Sequence, residues 1–229
     1  MKTVIITGAN GNLGKAVTKE FLQKGYRVLA TVYAAEMIHD LEPDPELMVQ
    51  VVDLNSEETT DLFINAAIKQ YGQIDAALML VGGFNMGNIA STKSSAILEQ
   101  ISLNFETAYH ITRPLLKHML DKGSGRLVFI GARPALEPDA GKGLVAYGLS
   151  KSLLFTLAAM INAETKGKNV TATVIAPSTL DTPLNRKSMP DVDPSIWVKP
   201  GALAEIMEFI VSEKAGPIRE SVIKVYNNA

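Results

Sequence analysis

Short runs of apolar, often β-branched residues alternate along the chain with longer stretches in which apolar residues recur at helical spacing. Most of the short runs are continuously apolar, which is typical of strands covered on both faces. They are Thr3–Thr7, Tyr26–Val32, Leu47–Val52, Ala76–Val81, Arg126–Ile130, Val170–Ala176 and Val222–Val225. The pattern therefore predicts a parallel β-sheet.

The longer stretches predict helices between these strands. They are Leu13–Lys24, Glu57–Tyr71, Ser95–Leu120, Ala146–Glu164 and Ala202–Glu213. Glycines that commonly end helices follow two of them, at Gly25 and Gly72. Strand and helix in regular alternation predict an α/β fold, a doubly wound parallel, Rossmann-like sheet of about seven strands with helices on both faces.

One segment, Pro177–Pro200, breaks the alternation with five prolines in a polar, helix-poor sequence. A loop of this length inside a domain more often serves as a lid or binding loop than as a solvated connection without a role. Its Trp197 either closes over a flat ring or anchors the loop to the core. We find no repeat or linker, so we expect a single domain over residues 1–229 with a substrate or lid loop at about 177–200.

Composition narrows the function. The 229 residues carry 22 basic and 24 acidic side chains, a net charge of -2, which provides no positive field for nucleic acid. The absence of cysteine excludes disulfides and thiolate chemistry and suits the cytoplasm. No segment approaches the roughly 20 apolar residues of a membrane span, so we expect no membrane association. His39, His110 and His118 are scattered, and we expect no metal site.

The first predicted strand leads into a glycine-rich turn, Gly8–Gly14, that opens a helix. Glycines at these positions allow a tight turn and let the backbone approach a pyrophosphate, which the free N–H groups of the helix N-terminus also attract. The turn predicts a site for NAD or NADP, and a purely structural turn is the alternative.

The charged residues after the second strand do not settle which dinucleotide binds. An acidic residue at the strand end would favour NAD and a basic one NADP, but the strand ends at Tyr33 with neither. Glu36, Lys15 and Arg27 are the nearby charged candidates, and each is equally well a surface charge.

Tyr147 and Lys151 lie four residues apart near the start of a predicted helix and so share a face. A tyrosine pKa of about 10 is too high for acid–base chemistry near neutrality. A cation about 5 Å away contributes roughly 3 kcal/mol at an effective dielectric constant of about 20, enough to lower that pKa by about two units. The spacing predicts a proton-transferring tyrosine tuned by a lysine, against the alternative of a surface pair.

Further motifs follow the turn in a fixed order. Asp53 follows the third strand, Gly82 and Gly83 the fourth, Asn104 lies in a long helix, and Pro177–Thr182 follows the sixth strand. With the pair Tyr147 and Lys151, these motifs make the chain resemble the short-chain dehydrogenase/reductase family over essentially its whole length.

The resemblance implies an oxidoreductase acting on a small molecule. Tyr147 would donate or accept the proton, Lys151 would lower the tyrosine pKa and hold the nicotinamide ribose, and Asn104 would support a water relay. The implied cofactor-binding residues are Gly8, Asn10, Gly11, Asn12, Leu13 and Gly14 in the turn, Asp53 and Leu54 beside the adenine, Gly82 and Gly83 along the adenosine ribose, Pro177, Leu180 and Thr182 towards the carboxamide, with Tyr147 and Lys151. Family members usually associate through two long helices, so the resemblance also implies a homodimer or homotetramer.

Two positions depart from the common family pattern. Asn12 stands where the turn usually has glycine, which we expect to alter only the turn. Ala132 stands where a serine usually hydrogen-bonds the substrate carbonyl. A missing donor of this kind typically costs about a hundredfold in rate, which makes an ordinary ketone or alcohol a less attractive substrate.

One branch of the family, dihydropteridine reductase, dispenses with that serine. The segments Gly82–Phe84, Gly131–Leu136, Tyr147–Lys151 and Leu180–Pro190 resemble it. This resemblance implies hydride transfer to a pterin-like quinonoid ring. The branch has an aspartate where this chain has Tyr33, so its use of NADH does not carry over. A carbonyl or alcohol dehydrogenase of the same family and a non-catalytic nucleotide sensor are the alternatives.

Overall fold

All seven predicted strands pair in parallel in a computed structural model, which describes residues 1–228. The strands are β1 (Thr3–Ile6), β2 (Arg27–Val32), β3 (Leu47–Val51), β4 (Ala76–Met79), β5 (Ser124–Ile130), β6 (Asn169–Pro177) and β7 (Val222–Val225). Their order in the sheet is β3-β2-β1-β4-β5-β6-β7. The strand order reverses between β1 and β4, and such a switch point opens a crevice at the carboxyl ends of the strands. The predicted fold class is confirmed.

Helices cover both faces of the sheet. They are α1 (Asn12–Gln23), α2 (Glu57–Tyr71), α3 (Ser94–Ile101), α4 (Thr107–Lys122), α5 (Val145–Glu164), α6 (Pro183–Ser188) and α7 (Pro200–Val211). Alternate strand residues enter different cores: Val4 and Ile6 pack with α1 and α7, whereas Ile5 packs with α2, α4 and α5. The continuously apolar sequences of the five inner strands follow from this double coverage, because neither face of these strands meets water, whereas the edge strands β3 and β7 are partly exposed.

The single long helix predicted over Ser95–Leu120 is wrong in one respect. The structure has α3, a π-helical turn at Ser102–Glu106, and then α4, which ends before Gly123 in the left-handed conformation. A π-helical turn adds a residue to the helical turn and occurs frequently at functional sites. This one contains the buried Asn104.

The segment after β6 is more regular than the predicted helix-poor loop. Thr182 caps α6 by accepting a hydrogen bond from the Asn185 N–H, and a 3-10 turn follows at Pro194–Ile196. Trp197 is only 3% exposed, so it anchors the segment instead of closing over a ring.

Among residues 1–228, α5 is the one helix long and apolar enough to cross a membrane by length and composition. This corrects the expectation that no segment approaches a membrane span. The helix packs Leu154, Ala158 and Ile161 into the core against the sheet, and core helices of soluble proteins pass the same length and composition test. Its apolar character is explained by that packing.

The close approach of α1 to the glycine-rich turn requires glycine at position 14. A Cβ atom built there would lie 2.2 Å from the Gly8 carbonyl oxygen and 2.7 Å from the Ala9 backbone. These neighbours are backbone atoms, so they cannot move aside without displacing the turn. Gly201, in the first turn of α7, has nothing within 4 Å of such an atom.

We expect Gly14→Ala to lower the free energy of unfolding by about 1–3 kcal/mol, because the added methyl overpacks a fixed backbone contact. Gly201→Ala is the matched control and should be neutral or raise stability by up to about 1 kcal/mol, since alanine favours the helix. Urea unfolding at equilibrium measures both changes. Equal stability of the two variants would contradict the packing argument.

Candidate active site

A cleft of about 470 Å³ lies at the switch point, beside the carboxyl ends of β1, β2 and β4. Five of the predicted cofactor residues line it, and none of its fifteen lining residues is charged. The lining residues are Gly8, Asn10, Gly11, Thr31, Val32, Tyr33, Met37, Val52, Leu54, Asn55, Leu80, Val81, Gly82, Leu103 and Thr107. The cleft is therefore a neutral, largely apolar groove that begins at the glycine-rich turn.

The turn presents its backbone to the cleft. Gly8 has φ +62°, a left-handed conformation that favours glycine, and a Cβ atom there would lie 3.1 Å from the Val81 side chain. The Gly11 N–H donates to the Gly8 carbonyl at 3.1 Å, closing the turn. Asn12 and Leu13 begin α1 behind the turn and do not line the cleft. The bare backbone next to a helix N-terminus fits a pyrophosphate.

Asp53 and Leu54 occupy different positions at the far end of the cleft. Leu54 is buried and lines it, whereas Asp53 is exposed and its carboxylate accepts hydrogen bonds from the backbone and side chain of Asn55. Asn55 itself lines the cleft, a residue that the sequence reasoning missed. Asp53 thus orients Asn55 through these hydrogen bonds but does not itself line the cleft.

The buried Asn104 side chain fastens the loop after β4. Its Oδ1 accepts from the Gly83 N–H at 2.9 Å, and its Nδ2 lies 3.1 Å from the Gly83 carbonyl oxygen. Gly82 has no room for a side chain, because a Cβ atom would lie 2.5 Å from the Asn104 Oδ1 and 3.0 Å from the Lys151 Nζ. The structure therefore brings Asn104, Gly82, Gly83 and Lys151 together.

Two further polar residues, neither of them predicted, complete this network. Ser150 is fully buried on α5, where its Oγ donates to the Tyr147 carbonyl at 2.9 Å and receives the Asn104 Nδ2 at 3.0 Å. Gln100 on α3 offers its Oε1 to the same Nδ2 at 3.1 Å. Gln100 and Asn104 are four residues apart, which is a helical spacing that could have drawn attention to the pair.

The pKa values of Tyr147 and Lys151 differ from the sequence-based expectation. Burial raises the pKa of Tyr147 to about 12 and lowers the pKa of Lys151 to about 8. The Lys151 Nζ donates to the Ile130 carbonyl at 2.9 Å, at the end of β5. The predicted lowering of the tyrosine pKa by the lysine is wrong for this structure, because loss of water around the buried phenol raises its pKa instead.

Ala132, which stands where the family resemblance implies a serine, is apolar. Ala132 is buried at the end of β5 and offers no hydroxyl. Phe84 packs its ring edge-on against that of Tyr147, with the ring centroids 5.1 Å apart, and is 61% exposed. Phe84 was not assigned a role from the sequence, although it directly follows the two glycines. Tyr147, the candidate for proton transfer, therefore packs against an exposed aromatic side chain.

The residues predicted near the carboxamide lie at the end of β6, outside the 470 Å³ cleft. Pro177 ends the strand, and Leu180 pairs with Val198. The buried Thr182 uses its Oγ1 to cap α6. Lys151 hydrogen-bonds the Ile130 carbonyl at the end of β5, the strand between β4 and β6. The residues predicted near the carboxamide therefore lie at the same carboxyl edge of the sheet as the cleft, with β5 between them.

Arg27 does not belong to the cofactor region. It begins β2 at the opposite edge of the sheet, where it pairs with Glu46 at 3.2 Å. This excludes one of the three charged candidates for dinucleotide choice. Glu36 is exposed on the 3-10 helix Ala35–Asp40, which follows β2.

Comparison with curated proteins finds reductases of similar length. The chain is 23% identical over 239 residues to the acetoacetyl-CoA reductase of Acinetobacter sp. (strain RA3849), covering 98% of this chain and 96% of that protein. It is 22% identical to the 3-oxoacyl-[acyl-carrier-protein] reductase of Thermotoga maritima, again covering 98% of this chain and 96% of the relative.

Solved structures share the fold. ElxO with NADP bound is 23% identical with a TM-score of 0.87, covering 98% of this chain and 96% of that one. The 3-ketoacyl-(acyl-carrier-protein) reductase from Brucella melitensis complexed with NADH is 20% identical with a TM-score of 0.86, at the same coverage of both chains. The sequence model described as short chain dehydrogenase matches residues 2–193, most of the length. The chain belongs to the short chain dehydrogenase family.

Proposed function

We propose that this chain is an NAD(P)H-dependent reductase in which Tyr147 transfers the proton. The observation that carries the proposal is the network that places Lys151 and Asn104 against Gly82, at the end of an uncharged cleft that starts at a phosphate-binding turn. Family membership supports it, as do the NADP and NADH held by the two similar structures.

The residues divide the work as follows. A bound nicotinamide would supply hydride, and the glycine-rich turn with the neutral cleft would hold the dinucleotide. Because burial raises the pKa of Tyr147, its hydroxyl stays protonated near neutral pH and can deliver a proton to the reduced substrate. The Lys151 ammonium donates one N–H to the Ile130 carbonyl, and its other two N–H groups can donate to a ribose hydroxyl or to the tyrosine oxygen.

The substrate that we propose is a flat conjugated ring of the pterin-like quinonoid kind. Ala132 cannot polarise a substrate carbonyl, and the buried Ser150 hydroxyl already hydrogen-bonds the Tyr147 carbonyl and the Asn104 amide. The exposed Phe84 ring beside Tyr147 provides a surface on which a flat ring can pack. This substrate rests on the residues alone, since the relatives described above are not pterin reductases.

A β-ketoacyl thioester is the second candidate. It is favoured by the names of the two curated relatives, acetoacetyl-CoA reductase and 3-oxoacyl-[acyl-carrier-protein] reductase. Such a substrate carries a ketone oxygen that gains negative charge during reduction, which is where the missing hydroxyl at Ala132 would be costly.

Turnover on quinonoid dihydropterin and on acetoacetyl-CoA, each with NADH and NADPH, tests the substrate. We expect faster turnover of the pterin, and Phe84→Ala should raise its KM by about three- to tenfold, the range expected for loss of one aromatic contact. Met86→Ala, an exposed apolar residue of the same loop, is the control and should change KM less than about twofold. Activity on acetoacetyl-CoA alone would refute the pterin proposal and leave the reductase intact.

The role of Tyr147 is tested by Tyr147→Phe, which removes only the hydroxyl. We expect kcat to fall by about a hundredfold or more, with little change in dinucleotide affinity, because proton transfer by a positioned side chain contributes about that much. Tyr109→Phe on α4, at a half-exposed position, serves as the control and should retain full activity. If both proteins oxidise the reduced nucleotide equally fast, proton transfer by Tyr147 is refuted. If neither protein oxidises it with any acceptor tested although the nucleotide binds, the result supports the nucleotide sensor.

The pH dependence of reduction follows from the lysine. Since the pKa of Lys151 is lowered to about 8, its ammonium is present below that pH and is lost as the pH rises through it. We therefore expect kcat/KM for reduction to decline above an apparent pKa near 8. Lys151→Arg keeps its charge throughout this range, so whatever activity it retains should lack the decline. An unchanged decline in Lys151→Arg would assign it to another group.

A further inference from the structure

A polar cluster lies at the rim of the cleft, beside the glycine-rich turn. The Asn10 Nδ2 donates to the Asp40 Oδ2 at 3.3 Å, and the Lys15 Nζ lies 3.7 Å from the Asp40 Oδ1. Asn10 lines the cleft, and Lys15 belongs to the first turn of α1. Asp40 is thus an exposed carboxylate at the cleft rim, with one oxygen contacting Asn10 of the turn and the other Lys15 of the helix that follows it.

Asp40 reaches this place through the 3-10 helix Ala35–Asp40, which also supplies Met37 to the cleft lining. The helix begins shortly after β2 ends, and Tyr33 at that strand end carries no charge. Asp40 is therefore the carboxylate that the structure joins to the glycine-rich turn, although it lies seven residues after Tyr33 in sequence.

The charges at this rim disfavour the additional phosphate that NADP carries on its adenosine ribose. A phosphate on the adenosine ribose carries a charge of about −1.5 to −2 at neutral pH. The cleft lining offers it no cation, and Lys15 is already paired with Asp40. A phosphate that captured Lys15 would leave the Asp40 carboxylate unpaired beside it. A ribose hydroxyl, by contrast, can donate to a carboxylate that still has free lone pairs.

We propose that Asp40, held by Asn10 and Lys15, is the residue that selects the dinucleotide, and that it selects NADH over NADPH. This inference rests on the proposed function, because it requires the dinucleotide to occupy the cleft. In this proposal the choice between the two dinucleotides is determined by Asp40 on the 3-10 helix and not by Tyr33 at the end of β2.

Direct titration with NADH and with NADPH, followed by nucleotide fluorescence or calorimetry without substrate, tests the inference. The wild type should bind NADH more tightly. In Asp40→Asn the ratio of the NADPH Kd to the NADH Kd should fall by about tenfold, the order expected for removing a unit charge near a phosphate dianion. Glu36→Gln makes the same charge change at an exposed position of the same 3-10 helix, and it should alter the ratio less than about twofold.

The outcomes separate the two proposals. If neither nucleotide binds the wild-type protein, the proposed function fails. If both bind but the wild type prefers NADPH, or Asp40→Asn leaves the ratio unchanged, the selectivity assignment fails while the reductase stands. If Glu36→Gln shifts the ratio as much as Asp40→Asn does, the effect is general electrostatics and the assignment to Asp40 is overturned. A circular dichroism spectrum of each variant shows that it is folded.

Discussion

The site depends on the carboxamide of Asn104, which ties together the loop after β4, α3 and α5. It binds both backbone groups of Gly83 in the loop after β4, and it reaches Ser150 on α5 and Gln100 on α3. Loss of a buried partner typically leaves a penalty of about 1–3 kcal/mol for each polar group stranded. The loop after β4 and the first turns of α5 are therefore both held by one buried side chain, which lies in the π-helical turn.

Burial sets the electrostatics around this network. It favours the neutral form of both Tyr147 and Lys151, so the pKa of the phenol rises while that of the ammonium falls. A protonated phenol is the form that a reductase needs at the start of proton delivery, and the lysine retains its charge below about pH 8. The uncharged cleft adds no competing field, which leaves discrimination between nucleotides to the few charges at its rim.

The elements that the sequence predicted well are those specified by local patterns. α2 has the predicted bounds, because Ser56 caps its start and Gly72 its end. The π-helical turn was missed because one extra residue barely disturbs the apolar spacing of a long helix. α6 was missed although a signal was present, since Thr182 followed by Pro183 is a typical helix start.

The site residues likewise fall into those that a local sequence pattern reveals and those whose contacts join distant parts of the chain. The glycine-rich turn and the Tyr147/Lys151 spacing are visible locally, but the ammonium's actual partner, the Ile130 carbonyl, lies 21 residues away in sequence. Nothing in the spacing of Tyr147 and Lys151 reveals that contact or the burial that reverses the expected pKa change. Asn10 and Asp40 are likewise 30 residues apart and meet only because β2 returns the chain to the turn.

Ser150 shows why the apolar position at Ala132 is not compensated nearby. A serine hydroxyl has one proton to donate, and that of Ser150 goes to the Tyr147 carbonyl while its oxygen receives the Asn104 amide. Redirecting that proton towards a substrate would break the hydrogen bond to the Tyr147 carbonyl. The hydroxyl of Tyr147 is then left as the group that can meet charge developing on the substrate. A conjugated ring that spreads this charge places less demand on that one donor than a ketone, whose oxygen concentrates the charge.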